Sequence, residues 1–252
     1  MTSHTPFTWP DGQQCAVSLT YDDAIPVHYE RVAPLLTEKG LTATFYICAH
    51  GGFTSNPAPW KQVAAQGHEL GNHSLFHPCR REPEENYSWL SPHYDLCDYS
   101  SQRWTDEMRV ASCLLNQLDG ETDRTFGNTC CHTSIGRGNK KKDLSELIDN
   151  MFVAARGPLT HEIVTPQTLS FPALGHFSGD RKTFGEMQPD IERAINMKGW
   201  MILMFHGVGE GTHGHYIETE EHTKLLNYLE EKSKDIWTAS LVKVAKHLKN
   251  NP

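Results

Sequence analysis

The sequence predicts an α/β fold in which parallel strands alternate with helices. Short apolar runs recur along the chain, amphipathic stretches of helical spacing separate them, and glycines close several of those stretches. Alternation of this kind implies parallel pairing through right-handed crossovers, as a barrel or as an open sheet, and periodicity does not choose between the two.

Ala16 to Thr20 reads as the first strand. Helical spacing follows through Tyr29, Val32, Leu35 and Leu36, with Gly40 as the stop. Ala43 to Ile47 is rich in strand formers, and Trp60 to Gln66 is a short helix ended by Gly67. Thr105 reads as the cap of a helix through Met108, Ala111, Leu115 and Leu118, closed by Asp119-Gly120. Further on come a helix at Leu144 to Asp149 and a strand at Met151 to Ala155. Then follow a helix at Met187 to Lys198 and the apolar strand Trp200 to Phe205. The chain closes with helix Glu218 to Lys232, strand Ile236 to Ala239 and helix Leu241 to Leu248.

With 252 residues, one domain is expected: an extension over residues 1–14 followed by a catalytic unit over 15–252. The net charge of −8 excludes a nucleic-acid partner, since no basic face would meet the phosphates. No apolar stretch is long enough to span a bilayer, so no membrane partner is expected. Met1 to Trp9 has neither the charged nor the apolar region of a secretory signal. Seven cysteines are an odd number, adjacent Cys130 and Cys131 make a poor pair, and no Cys-x-x-Cys occurs. Buried free thiols and a cytoplasmic location are the expectation, or secretion if a leader has been removed.

Three features carry chemistry. Asp22 and Asp23 end the first strand, where α/β folds place their active sites, and the following turn lets both acids face one ligand. His73 and His77, at i and i+4, would share one face of a helical turn and offer two imidazoles to one ion. Two histidines and a carboxylate make an open metal site with room for water and substrate. His206 follows an apolar strand and leads into the Gly207 to Gly214 loop, well placed for catalysis.

Taken together, Thr20-Tyr21-Asp22-Asp23, His73-Ser74-Leu75-Phe76-His77 and Phe205-His206 resemble the polysaccharide deacetylases, the NodB-homology enzymes of carbohydrate esterase family 4. The resemblance runs from Cys15 to His247. It implies a single-domain distorted (β/α) barrel with fewer than eight strands. By position it also implies that Asp23, His73 and His77 bind a divalent metal, zinc first, with cobalt, nickel or manganese as alternatives. Asp22 would be the base acting on a metal-activated water, and His206 the acid that serves the leaving amine or alcohol.

The third family motif, usually Arg-Pro-Pro-x-Gly, is altered. Cys131-His132-Thr133-Ser134-Ile135-Gly136 stands in its place, without Arg or Pro. Arg156, at the end of a later strand, is the candidate charge partner for the base. His132 and Ile135 are candidates for the pocket wall and for the oxyanion N–H. Trp89 and Tyr94, in the aromatic stretch Pro78 to Arg103, are candidate sugar contacts or core residues. Gly211 to His215 reads as a loop with incidental histidines, since no third ligand accompanies them.

The function implied is removal of N-acetyl or O-acetyl groups from a glycan or oligosaccharide. The alternatives are a small-amide hydrolase of allantoinase type on the same scaffold and a metal-retaining glycan-binding pseudoenzyme. Oligomeric state leaves no mark in the sequence.

Overall fold

The computed structural model describes residues 5–251, so Met1 to His4 of the N-terminal extension lie outside the described residues. Seven parallel strands close a barrel: β1 (Cys15–Asp22), β2 (Thr44–Ile47), β3 (Glu69–Asn72), β4 (Thr125–Gly127), β5 (Ala154–Leu159), β6 (Leu174–Ser178) and β7 (Trp200–Phe205). Closure comes from β7 pairing back on β1, Ala16 opposite Trp200 through Tyr21 opposite Phe205. The other edge of β1 is shared. β8 (Ile236–Thr238) pairs with Cys15 to Val17, and β2 pairs with Thr20 to Asp22. The barrel expectation is met, with the strand count below eight.

Helices cover the outside: α1 (Ala33–Glu38), α2 (Ala58–Ala65), α3 (Ser101–Asp119), α4 (Ser145–Asp149), α5 (Phe184–Met197), α6 (Thr219–Glu231) and α7 (Leu241–Asn250). Strand alternation divides each strand between two environments. In β1, Cys15, Val17, Leu19 and Tyr21 join the outer apolar layer with Ile191, Leu225 and Leu229. Ala16, Ser18, Thr20 and Asp22 take the opposite, inner face. At the bottom the interior is apolar, with Ala16 in one cluster with Trp200 and Ile202, and Trp200 Nε1 donates to Ser18 Oγ at 3.0 Å. Toward the C-terminal end of the strands it becomes polar. Asp22 is therefore the last inward residue of β1, at the mouth.

Several boundaries differ from the sequence reading. The cap of α3 is Ser100, whose side chain accepts from Arg103 N, so Thr105 lies inside the helix. The strand expected at Met151 to Ala155 is β5, shifted to Ala154–Leu159. Strands β3, β4 and β6 carry no apolar run, because buried polar groups occupy them. Glu69 of β3 shows why. It accepts from Thr44 Oγ1 at 2.6 Å, Thr125 N at 2.8 Å, Thr125 Oγ1 at 2.7 Å and Val242 N at 3.0 Å. One carboxylate thereby joins β2, β3, β4 and the start of α7.

Residues of the extension are packed. Trp9 is buried, stacks on His247 at 6.0 Å and donates to the Lys198 carbonyl at 3.1 Å.

Glu69→Ala leaves buried donors at Thr125 and Val242 without partners, and each costs about 1–3 kcal/mol. Urea unfolding should show a loss of about 2–4 kcal/mol; a loss within error of zero would refute the joining role.

Candidate active site

Asp22 enters the barrel mouth from β1 and meets Arg156 from β5, on the far side of the barrel. Arg156 Nη1 donates to Asp22 Oδ1 at 2.8 Å and to Thr20 Oγ1 at 2.8 Å, and its Nη2 donates to Asp22 Oδ2. Both side chains are buried, and the guanidinium carbon lies 5.0 Å from the centre of the Tyr46 ring. Burial alone would push the Asp22 carboxyl upward, but the Arg156 charge and hydrogen bonds outweigh it and hold it well below the usual range. Arg156, the candidate charge partner, is thus the arginine that meets Asp22.

Alternation would aim Asp23 away from Asp22. Its φ of 79°, followed by 53° at Ala24, turns the chain and brings its carboxylate back over the mouth. Asp23 Oδ1 faces His73 Nε2 at 3.6 Å and His77 Nε2 at 3.4 Å. The histidine pair does not share a helical turn, as the sequence reading expected. Residues 73–77 form a loop, shaped by positive φ at Ser74 and His77. Asn72 Oδ1 accepts from Ser74 N at 2.7 Å, and Ser74 Oγ accepts from His77 N at 2.9 Å, which fixes that loop.

The donor set suits a divalent ion. His73 Nδ1 lies 2.8 Å from the Gly127 carbonyl, a contact that needs a proton on Nδ1 and leaves the Nε2 lone pair facing Asp23. Ligands at about 2.1 Å from a tetrahedral centre lie about 3.4 Å apart, close to the spacing seen here. Burial pushes His77 down to about 4, which keeps it a neutral imidazole. Cys48 adds a sulfur to the same group, within 4.8 Å of the other donors, and the sequence reading missed it.

His206 faces this group from the end of β7, with Nε2 4.0 Å from Asp23 Oδ2. Asp180, also missed in the sequence, holds it: Oδ2 lies 2.6 Å from His206 Nδ1 and Oδ1 accepts from His206 N at 3.0 Å. Burial works against a charge on His206, but the Asp180 hydrogen bond and the Asp22 charge outweigh it and raise its pKa. His28 supports the same residue, with Nε2 2.7 Å from the His206 carbonyl.

The loop taken as incidental is part of the site. His213 stacks on His206, ring centroids 5.0 Å apart, and its Nε2 lies 3.6 Å from Asp23 Oδ2. Gly207 makes this possible, since a β-carbon there would lie 2.9 Å from His213 Cβ. Gly207 was the visible signal in the sequence; where the loop would fold back was not.

A cavity of about 1100 Å³ opens over these residues. Tyr94 lines it and stacks on Phe76 at 5.0 Å, while Trp89 stands at its rim with 62% exposure, so core packing is not its role. His132 and Ile135 are not brought to the wall. Ile135 is buried with Leu96, Trp104 and Phe126, and His132 accepts from Arg80 N at 3.0 Å and lies 3.3 Å from Tyr87 OH. Asn128, Cys130 and Cys131 line the cavity in their place. The expectation of free thiols is corrected at one pair: Cys79 and Cys130 form a disulfide, leaving Cys15, Cys48, Cys97, Cys113 and Cys131 free.

The seven-stranded barrel presents paired carboxylates and histidines at its mouth, and comparisons with known proteins narrow its class. The family model for polysaccharide deacetylase matches residues 10–127. A gellan lyase of Bacillus sp is 24% identical over 149 residues, which is 59% of this chain and 5% of that protein, so the chain spans about a twentieth of its length. A structure from Mycobacterium smegmatis assigned to the polysaccharide deacetylases superposes with a TM-score of 0.66 at 14% identity, covering 99% of this chain and 95% of its own. A mutant peptidoglycan deacetylase from Bacillus subtilis gives 0.55 at 13%, covering 94% and 93%. A carbohydrate esterase family 4 pseudoenzyme from Bacillus anthracis gives 0.55 at 16%, covering 93% and 66%. At such identities the structures share a fold. Family match, motifs and fold agree: residues 10–127 carry the polysaccharide deacetylase pattern, and the barrel is the NodB-like one of carbohydrate esterase family 4 relatives. Among the described residues, no helix is long and apolar enough to cross a membrane.

Asp180→Asn removes the charge that supports protonated His206. Its pKa should fall by about one pH unit or more, readable as the His206 ring titration by NMR. An unmoved titration would show that Asp180 only packs there.

Proposed function

We propose that this chain is a hydrolase that removes acetyl groups from a glycan or oligosaccharide, using a divalent ion held by Asp23, His73 and His77. The observation that carries this is the opposition of two proton-handling groups across one donor cluster. Asp22 is held ionised by Arg156 on one side, and on the other the Asp180 carboxylate favours the protonated form of His206. An ion bound between them would polarise the acetyl carbonyl and acidify water. Asp22 accepts the proton of the attacking water. His206 donates a proton to the leaving nitrogen or oxygen as the carbon–nitrogen or carbon–oxygen bond breaks.

The cavity supports a glycan over a small cyclic amide. Its volume exceeds what a single small ring needs, and Trp89 at its rim offers a flat apolar face to a sugar ring. A pure binding module would have no use for an ionised base facing a histidine whose protonated form is favoured. Zinc leads the candidate ions because the donors are imidazole and carboxylate in an open set.

Zinc-loaded protein should release acetate from at least one of chitin oligomers, peptidoglycan fragments or acetylated xylan. Asp22→Asn should cut the rate by about 100-fold or more. No release from any of them, by protein that binds one zinc, would defeat the deacetylase reading. Separately, His77→Ala should lower bound zinc measured by elemental analysis, and unchanged content would remove His77 from the donor set.

A further inference from the structure

The proposed catalytic set uses one nitrogen of His77 and leaves the other facing sulfur. Nε2 lies 3.4 Å from Asp23 Oδ1, whereas Nδ1 lies 3.6 Å from Cys79 Sγ. Cys79 is bonded to Cys130, 51 residues away on the loop after β4. Donor atoms of His77, Cys79 and Cys130 all lie within 4.8 Å of one another. Cys79 is buried, but Cys130 is half-buried on the cavity wall, where a small reductant reaches it.

As a disulfide the pair is a poor ligand, because cations bind thiolate sulfur. We propose that a dithiol reductant converts Cys79, Cys130 and His77 into a second cation site, selective for a thiophilic divalent ion such as zinc. The step balances: the dithiol gives two electrons and two protons to the sulfur–sulfur bond and closes its own disulfide. The ion then displaces the two thiol protons and takes the Nδ1 lone pair of neutral His77. Thiolates on tetrahedral zinc lie about 3.8 Å apart, a separation that side-chain rotation of two formerly bonded sulfurs provides. Two thiolates and an imidazole form a softer set than the two imidazoles and carboxylate beside it, which favours zinc over manganese or magnesium.

The two sites compete for one ring. A neutral imidazole has one free lone pair, so binding through Nδ1 places the proton on Nε2 and withdraws His77 from an ion held beside Asp23. This competition rests on the metal-site reading above; the thiolate site itself does not. Reduction would then act as a switch on metal placement at the barrel mouth.

Titration with cobalt(II) under inert gas tests the site directly, because thiolate ligation gives a charge-transfer band that nitrogen and oxygen ligands lack. Seven cysteines with five free predict that reduction raises the thiol count from five to seven. In Cys48→Ser, which removes the free sulfur beside Asp23, His73 and His77, the band should appear in the reduced chain and be absent from the oxidised one. On that background it should survive in Cys131→Ser and in Asp23→Ala, the last separating this site from the catalytic set. It should vanish in Cys130→Ser and equally in Cys79→Ser, each checked for native circular dichroism, and weaken at least tenfold in affinity in His77→Ala. No band in the reduced chain, or a band that persists in both Cys130→Ser and Cys79→Ser, overturns the assignment.

Discussion

The buried ion pair between Asp22 and Arg156 is the constraint on which the mouth of this barrel depends. Removing both charges from water costs several kcal/mol per ion, and only close geometry with every remaining polar atom engaged repays it. The pair meets most of that demand. Two Arg156 nitrogens meet the two Asp22 oxygens, Thr20 takes a further Arg156 hydrogen bond and Tyr46 covers the guanidinium face. Because Asp22 is depressed, its contribution to stability is present above the ordinary carboxylate range and is lost as pH falls toward the folded value. Losing one partner would leave a lone buried charge, at about 3–5 kcal/mol.

Other features follow from that anchor. With Asp22 fixed inward, Asp23 is able to join the site only through a left-handed turn, which its φ of 79° supplies. His73 is tied to Gly127 of β4, and His206 to Asp180 just beyond β6, so groups from across the barrel converge on one carboxylate. Rigid strands set the angular positions, while the loops after them adjust the final aim. The His213 loop folds back over His206 for the same reason, through the space that Gly207 leaves.

Much of this was legible in the sequence, in proportion to how local its signal was. Apolar β1 and β7 and the adjacent Asp22-Asp23 pair show through because one stretch of chain contains the whole pattern. Arg156 was legible as an arginine at a strand end, since the altered third motif left a charge unpaired. Strands β3 and β6 were hidden because their inward residues, such as Glu69 and His176, are polar, and Glu69 is satisfied only by partners distant in sequence. Asp180, Cys48 and His213 were missed for a related reason: each belongs to a loop whose direction the barrel decides. Ile135 and His132 were misplaced because sequence alignment to a motif does not fix the path of a loop that has lost its prolines. The Cys79–Cys130 bond likewise joins two loops that only the closed barrel brings together.

The central claim is that Arg156 holds Asp22 ionised. The most direct measurement is the carbon-13 NMR titration of the Asp22 side-chain carboxyl, assigned by its disappearance in Asp22→Asn and repeated in Arg156→Gln. Asp22 in the unsubstituted protein should take up its proton well below the usual carboxylate range, and in Arg156→Gln the midpoint should rise by about two pH units or more. An Asp22 midpoint that is ordinary in the first protein, or unmoved in the second, would contradict the account.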